Sequence, residues 1–322
     1  MTYLTTPGQI AEHVYLADTI QFKKKGQTSI FFYWDGTTCL LMDVGTSNDV
    51  ETLLKNLNKI GIPYDKVLGI VVTHYHFDHA GGVTRLWQKF SEQYQNFKIF
   101  VPKDTYHKLQ NAETHMIGAK TTYGNSVGEM NRLPENAYTI VEKDVPLPLK
   151  LADGYQLHLI TTPGHTDDHC APTLFQNNKP VFCFSGESCG ALCRETIPVS
   201  MPTSMPPAFN FEKYMESCRK IALLSPEILG FCHFGAIIGK EKIADYLAQH
   251  QDDMVQFRET VIQAYRVQTD TRYVVRQVLK FFEQQKTISP NESEPNSPNV
   301  IFAITYGMMV DLGYRNPKYE QR

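Results

Sequence analysis

Three histidines and an aspartate lie within six positions of one another, at His74, His76, Asp78 and His79. Imidazole and carboxylate groups at this spacing suit a divalent metal ion, because zinc, iron and manganese all accept nitrogen and oxygen ligands. A metal ion held in this way lowers the pKa of a bound water molecule to about 7 and so supplies hydroxide at neutral pH. The segment therefore predicts a metal site with hydrolytic chemistry.

The elements around this segment can position its side chains. Residues 67–72 form a short apolar run rich in β-branched residues, which predicts a buried strand. Alternate side chains of an extended chain point the same way, so His74 and His76 can leave the strand end together. Asp78 and His79 would then lie in the first turn of a helix that continues to Phe90.

Three further candidate ligands follow other predicted strands. His165 comes after a strand predicted at 155–160, Glu187 after one at 180–184, and His233 after an apolar run that ends at residue 232. Loops at strand ends are where a sheet scaffold presents a functional site. We therefore expect these side chains to meet the first histidine cluster.

The His-x-His-x-Asp-His string, with Pro-Gly-His at 163–165 and His-Phe-Gly at 233–235, resembles the signature of the metallo-β-lactamase-fold superfamily of metallohydrolases. The resemblance covers roughly residues 10–240 and implies an α/β fold, an αββα sandwich. It also implies two divalent metal ions, zinc first, with iron or manganese as alternatives. The ligands that it implies are His74, His76 and His165 for one ion and Asp78, His79 and His233 for the other.

Glu187 departs from the family pattern. The family places a bridging aspartate after a Gly, whereas this chain has Gly186 followed by Glu187. Glutamate is one methylene longer, so it bridges two ions only if the backbone lies farther from them, and otherwise it binds one ion. Both arrangements stay open at the level of sequence.

The resemblance implies a metallohydrolase in which a metal-bound hydroxide attacks an ester, thioester or lactone. Asp78 would be the catalytic residue that passes a proton to the leaving group. The segment 197–211, rich in proline and methionine, the stretch 111–136 and the C-terminal helices predict a mostly apolar pocket, which favours an acyl or aromatic substrate. The helical extension and the Gly-His-Thr-Asp-Asp-His string at 164–169 are similar to the subgroup that contains the quinolone-signal response protein.

Three alternatives remain. A phosphodiesterase would use the same two metal ions on a phosphate ester. A mononuclear iron dioxygenase of the persulfide type would leave His79 and His233 unused as ligands. A metal-binding regulatory protein would act through its C-terminal helices with little catalysis. Among the remaining residues, Asp43, His169, Asp167 and Asp168 are candidates to orient a ligand or to support the structure only.

The chain divides in sequence into a catalytic domain at 1–239 and a helical extension at 240–322 that would cap the active site. Residues 289–299 are rich in Pro, Ser, Asn and Glu and predict a flexible linker.

The composition of the chain indicates which partners and which cellular compartment to expect. The net charge of −3 gives no reason to expect a nucleic acid or a membrane as partner. The seven cysteines show no spacing typical of a disulfide framework, which indicates reduced thiols. The N-terminal residues do not read as a signal peptide. We expect a cytoplasmic protein with a small-molecule substrate. If the protein forms an oligomer, we expect a homodimer.

Overall fold

The computed structural model describes residues 3–94, 96–192, 200–285 and 298–316. Within these ranges the strands are β1 Tyr3–Leu4, β2 Gly8–Ala11, β3 Val14–Asp18, β4 Ser29–Trp34, β5 Cys39–Met42, β6 Val67–Val71, β7 Lys98–Val101, β8 Tyr138–Ile140, β9 Tyr155–Thr161, β10 Cys170–Gln176, β11 Lys179–Phe184, β12 Ala191–Leu192, β13 Ser200–Met201, β14 Ile228–Phe231 and β15 Gly235–Ile238. The α-helices are α1 Val50–Ile60, α2 Phe77–Ala80, α3 Val83–Ser91, α4 Lys103–Leu109, α5 Glu113–Tyr123, α6 Phe211–Leu224, α7 Lys240–Val267, α8 Thr271–Gln284 and α9 Pro298–Asp311. Short 3-10 turns lie at Gln21–Lys23, Tyr64–Lys66, Gly124–Val127 and Glu135–Ala137.

Two mixed sheets carry the fold. The first has the strand order β2-β3-β4-β5-β6-β7-β8, antiparallel from β2 to β5 and parallel from β5 to β8. The second has the order β1-β15-β14-β11-β10-β9, in which β11 and β14 are parallel and the other pairs antiparallel. The strands β12 and β13 form a separate small ribbon.

The two sheets face each other across an apolar core. Phe31 of β4 in the first sheet contacts the rings of Phe182 and Phe184 of β11 in the second, with centroids 5.0 and 4.9 Å apart. The helices α1 and α3 bury Leu53 and Leu86 on the outer side of the first sheet. The helices α6 and α7 bury apolar side chains on the outer side of the second. This arrangement confirms the predicted αββα sandwich.

The structure differs from the predicted elements in several places. The strand β10 was not predicted from the sequence, although it pairs with both β9 and β11. The stretch 111–136, for which the sequence indicates no element, contains the regular helix α5. The helix expected from Asp78 to Phe90 is divided into α2 and α3, because the backbone at Gly81 and Gly82 lies against the loop at 44–46. An added Cβ at Gly82 would come within 2.9 Å of the Val44 carbonyl oxygen.

The helices α7, α8 and α9 form the helical extension expected after residue 239, and they pack together around Met254, Phe257, Val278 and Ile304. The side chain of Asp270 accepts a hydrogen bond from the backbone N–H of Tyr273 at 2.9 Å and so caps the N-terminus of α8.

Three expectations are not settled by the fold. The linker predicted at 289–299 lies largely outside the described residues, and the division at residue 239 stays a prediction. The cytoplasmic location is the third and also stays a prediction.

Among the helices of the described ranges, none combines the length and the apolar character needed to cross a membrane.

Gly69 provides a test of the packing that leads to the histidine cluster. A Cβ at this position of β6 would lie 2.1 Å from the Lys98 carbonyl oxygen in β7. We expect Gly69→Ala to destabilise the protein by about 3 kcal/mol, because the neighbouring strand must move. Gly118→Ala in α5 is the matched control, since a Cβ there meets no atom within 4 Å. Chemical denaturation that shows equal stability for both variants would contradict this view of the sheet.

Candidate metal centre

Loops at four strand ends bring the predicted ligands together. His74 and His76 follow β6 of the first sheet. His165, Glu187 and His233 follow β9, β11 and β14 of the second sheet. The site therefore lies at one edge of the sandwich and takes residues from both sheets.

The potential ligand atoms form two groups that share Glu187, and within each group they lie within 4.8 Å of one another. One group contains His74, His76, His165 and Glu187, and the other contains His79, Glu187, Cys232 and His233. Glu187 Oε2 lies 2.6 Å from His165 Nε2 and 3.6 Å from His79 Nε2. Its other oxygen, Oε1, lies 3.8 Å from His233 Nε2. The longer glutamate side chain therefore reaches both groups.

Asp78 lies beside the second group. Its Oδ2 atom is 3.8 Å from His79 Nε2 and 3.7 Å from His233 Nε2. The Asp78 side chain is 18% exposed, compared with 6% for Glu187. Together with His233, which is 20% exposed, Asp78 marks the more open side of the cluster.

Two buried histidines are oriented by the carboxylate of Asp43, the residue that follows β5. Asp43 Oδ2 accepts a hydrogen bond from His79 Nδ1 at 2.7 Å and another from the Thr73 hydroxyl at 2.9 Å. The Thr73 oxygen in turn lies 2.9 Å from His74 Nδ1. Each imidazole uses Nδ1 for this outward bond and therefore directs Nε2 into the cluster. Asp43 orients ligand candidates and is not one of them.

Backbone carbonyl groups orient two further imidazoles in the same manner. His165 Nδ1 lies 2.6 Å from the Thr203 carbonyl oxygen, and His233 Nδ1 lies 2.9 Å from that of Gln27. Both rings again present Nε2 inward. His76 differs, because it presents Nδ1 and places this atom 3.1 Å from His165 Nε2.

Two of the inward nitrogen atoms have no hydrogen-bond partner. His74 Nε2 and His79 Nε2 are buried and make no hydrogen bond, although Glu187 Oε2 lies 3.4 and 3.6 Å from them. An unpaired polar atom in the interior costs free energy, and native proteins generally avoid it. A divalent cation between these nitrogens and the Glu187 carboxylate would satisfy them, so the residues present fit a metal ion.

Burial and neighbouring charges set the pKa values of the cluster. Burial, together with neighbouring imidazoles, lowers the pKa of His74 and of His76 well below 6.5, which favours their neutral, metal-binding form. Burial also acts to lower the pKa of His79, but the carboxylates of Asp78 and Asp43 outweigh it and hold this pKa well above 6.5. For Glu187, burial acts to raise the pKa, and the imidazoles of His165, His74 and His79 together more than offset it, so the pKa lies well below its usual value.

His169 contacts the backbone of Glu187 and is not one of the potential ligands. Its Nδ1 lies 2.9 Å from the Thr162 hydroxyl, and its Nε2 accepts a hydrogen bond from the backbone N–H of Glu187 at 3.2 Å. Gly186 has φ +56°, and a Cβ there would come within 2.6 Å of His169 Nε2, so this position requires glycine. His169 therefore fixes the backbone that carries the shared carboxylate.

The neighbouring aspartates have different environments. Asp168 is buried, accepts a hydrogen bond from the backbone N–H of Tyr75 at 3.2 Å and pairs with Lys108 at 3.2 Å. It thus holds the segment between His74 and His76. Asp167 is exposed and pairs with Lys213 at the surface.

Two residues of the site were missed from the sequence. His115 of α5 stacks on His76 with ring centroids 4.8 Å apart and accepts a hydrogen bond from the backbone N–H of Phe77. Burial lowers the pKa of His115 to about 4. Cys232 places its thiol in the second group, whereas no cysteine was expected at a ligand position. Its place directly before His233 was the available signal, while nothing in the sequence marked His115.

Aromatic side chains reach the cluster through His115, whose ring lies 5.9 Å from that of Phe77. Phe77, next to Asp78, contacts the ring of Tyr123 at 5.8 Å, and Tyr123 stacks on Phe22 at 6.3 Å. Phe22 and Tyr123 are half-buried. The segment 111–136 thus contributes an aromatic surface next to the cluster.

Comparisons with known proteins agree with this fold. A metallo-β-lactamase fold-containing protein of Sulfurisphaera tokodaii is 28% identical over 215 residues, which are 65% of this chain and 73% of the relative. A hydroxyacylglutathione hydrolase of Buchnera aphidicola is 29% identical over 163 residues, which are 49% of this chain and 47% of the relative. This chain spans about half the length of the hydroxyacylglutathione hydrolases that it matches.

A solved metallo-β-lactamase family protein of Thermus thermophilus has the same fold, with a TM-score of 0.64 at 14% identity over 95% of this chain and 94% of that one. The hydrolases among the relatives support hydrolase activity, while the resemblance to the quinolone-signal subgroup stays a prediction. The family profile described as "Metallo-beta-lactamase superfamily" matches residues 24–233. With this match over more than half of its length, the chain belongs to the metallo-β-lactamase superfamily.

Proposed function

We propose that this chain is a metal-dependent hydrolase that cleaves a carboxylic ester, thioester or lactone with an acyl or aromatic group. One observation carries the proposal. The Glu187 carboxylate belongs to both groups of potential ligands, and it lies next to the Nε2 atoms of His74 and His79, which make no hydrogen bond. Hydrolytic centres with two metal ions use a shared ligand of this kind.

Two divalent ions fit the donor set. His74, His76 and His165 would hold the first ion, and Asp78, His79 and His233 the second, with Glu187 between them. When bound, such ions supply a nucleophilic hydroxide at neutral pH and polarise the substrate oxygen.

Asp78 is the residue that we assign to proton transfer. Its carboxylate is more exposed than that of Glu187, so a substrate can approach it from solvent. A carboxylate at this position can accept a proton from the attacking water and deliver it to the leaving group.

The surroundings of the site favour an apolar substrate. Phe22, Phe77 and Tyr123 form a row of aromatic side chains that reaches the cluster through His115. Lys108 and Lys143 also lie nearby, but each is paired with a carboxylate, Lys108 with Asp168 and Lys143 with Asp104. Because these charges are compensated locally, they are poor anchors for the carboxylates of glutathione. An acyl or aromatic thioester or ester is therefore favoured over hydroxyacylglutathione.

The thiol of Cys232 does not decide the identity of the metal. It lies beside the second group, but it donates a hydrogen bond to the Gly186 carbonyl oxygen at 3.2 Å, and burial raises its pKa well above the ordinary value, which disfavours the thiolate that binds metal. The imidazole and carboxylate donors suit zinc, iron or manganese, and zinc remains the first choice. Elemental analysis of protein purified without added metal determines both identity and stoichiometry.

Replacement of Asp78 or His165 tests the mechanism. We expect Asp78→Asn to weaken binding of the second ion and, in protein reloaded with metal, to lower kcat/KM by at least 100-fold, because proton transfer is impaired. We expect His165→Ala to lose both metal and activity. Asp167→Asn and His107→Ala are matched surface controls with unchanged rates. Normal turnover in metal-loaded Asp78→Asn would refute the role of Asp78.

Replacement of Asp43 tests the orientation of the ligands. Asp43 has φ +59°, a conformation that asparagine adopts readily, so Asp43→Asn changes charge and hydrogen bonding without backbone strain. Both Asp43 oxygens accept hydrogen bonds, Oδ1 from the Thr73 backbone N–H and Oδ2 from His79 Nδ1, whereas asparagine has only one accepting oxygen. In either orientation of the amide, one of these donors would face an NH₂ group that cannot accept its proton. We expect metal affinity to fall about 10- to 100-fold in a chelator competition assay. Unchanged affinity would show that Asp43 has no part in metal binding.

A substrate panel tests the reaction class. We expect hydrolysis of p-nitrophenyl esters, acyl thioesters or lactones, and little hydrolysis of bis-p-nitrophenyl phosphate. Preference for the phosphate diester would assign the chain as a phosphodiesterase. If metal-loaded protein hydrolyses none of these substrates, the result would support the alternative of a metal-binding regulatory protein.

A further inference from the structure

We propose that Thr203, Tyr214 and His250 are positioning residues of the metal centre, through which helix α7 holds His165 and Glu187 in place. The inference rests on the proposed function, because it takes His165 and Glu187 as metal ligands. It assigns a role to a histidine of the C-terminal helices that no sequence motif singled out.

Thr203 contacts both ligand candidates. Its carbonyl oxygen accepts the hydrogen bond from His165 Nδ1 at 2.6 Å, and its hydroxyl donates to the carbonyl oxygen of Glu187 at 2.7 Å. One residue therefore sets the ring orientation of His165 and the backbone position of Glu187. His169 holds the Glu187 backbone at its other end, because His169 Nε2 accepts a hydrogen bond from the Glu187 N–H.

A line of buried hydrogen bonds continues from Thr203 to α7. The Tyr214 hydroxyl lies 3.3 Å from Thr203 Oγ1 and 2.8 Å from His250 Nε2. The Ser200 hydroxyl in turn contacts His250 Nδ1. These four residues are 0–8% exposed, so water contributes little to their hydrogen bonding.

The number of protons on each group fixes which residue donates in each of these hydrogen bonds. The Thr203 hydroxyl has one proton and uses it on Glu187, so it must accept from Tyr214. The Tyr214 hydroxyl then accepts from His250 Nε2–H, and His250 Nδ1 accepts from Ser200. This order requires a neutral His250, and burial lowers the pKa of this imidazole to about 3.

Helix α9 supports the same segment at the next residue. The Ser204 hydroxyl donates to the Ile304 carbonyl oxygen at 2.8 Å. Gly307 permits the close approach, because an added Cβ would lie 1.9 Å from the Ser204 carbonyl oxygen. The segment that orients His165 is thus fixed between α7, by way of Tyr214, and α9.

Removal of the Thr203 hydroxyl tests the proposal. Thr203→Val keeps the side-chain shape and deletes the bond to Glu187, so we expect metal to dissociate about 10-fold more readily, as is usual when a residue behind the ligands is lost. Tyr214→Phe acts one bond farther away and should have a smaller effect in the same direction. Thr203→Ser restores the hydroxyl and should restore the affinity.

Two variants elsewhere serve as matched controls. Thr305→Val removes an equally buried hydroxyl that donates only to the Ile301 carbonyl oxygen of its own helix. Tyr33→Phe removes a buried phenol bonded to Asp35 and to the backbone of Ala152, in the core between the sheets. Both controls should keep the metal affinity of the native protein.

The readouts are the metal dissociation constant by chelator competition, with Zn²⁺ as the probe, and the free energy of unfolding of the metal-free protein. A loss of affinity in Thr203→Val that exceeds that of Thr305→Val, with rescue in Thr203→Ser, supports the proposal. Equal affinity in all variants, or a loss of stability without a loss of affinity, overturns it. Failure of the native protein to bind Zn²⁺ would instead refute the proposed function.

Discussion

The structure of the site depends on the cost of burying the Glu187 carboxylate. A buried ionised carboxylate is strongly unfavourable unless it is paired and hydrogen-bonded. Here the compensation comes from imidazoles, with His165 in closest contact and His74 and His79 farther away. These rings are themselves buried and close to one another, so each needs a fixed partner on its outer side. The architecture around the site supplies those partners.

The outer partners come from distant parts of the chain. His79 is oriented by Asp43 at the end of β5, whereas His233 and His165 are oriented by carbonyl groups of Gln27 and Thr203. A carbonyl group can only accept a hydrogen bond, so it fixes which nitrogen of the ring carries the proton. The centre is thus specified by the packing of the two sheets as much as by the ligand residues.

The convergence of the candidate ligands could be predicted from the sequence, because the spacing of His74, His76, Asp78 and His79 and the apolar runs before the candidates are local signals. The sandwich followed from the resemblance of these motifs to the superfamily, and the role of each residue as a metal ligand stays a prediction. The outer partners could not be predicted in this way. The role of Thr203 lies in its carbonyl group, which every residue has, and His115 reaches His76 through the packing of α5. The helix expected from Asp78 to Phe90 was also wrong, since its division depends on contacts of Gly82 with a distant loop.

The unequal exposure of the cluster has a consequence for turnover. Asp78 and His233 reach solvent, whereas His74 and His165 are sealed inside. In the proposed hydrolase, an incoming reactant and a departing product would pass the same two side chains. An acid product that lingers there would exclude the next molecule, so inhibition by product would be competitive.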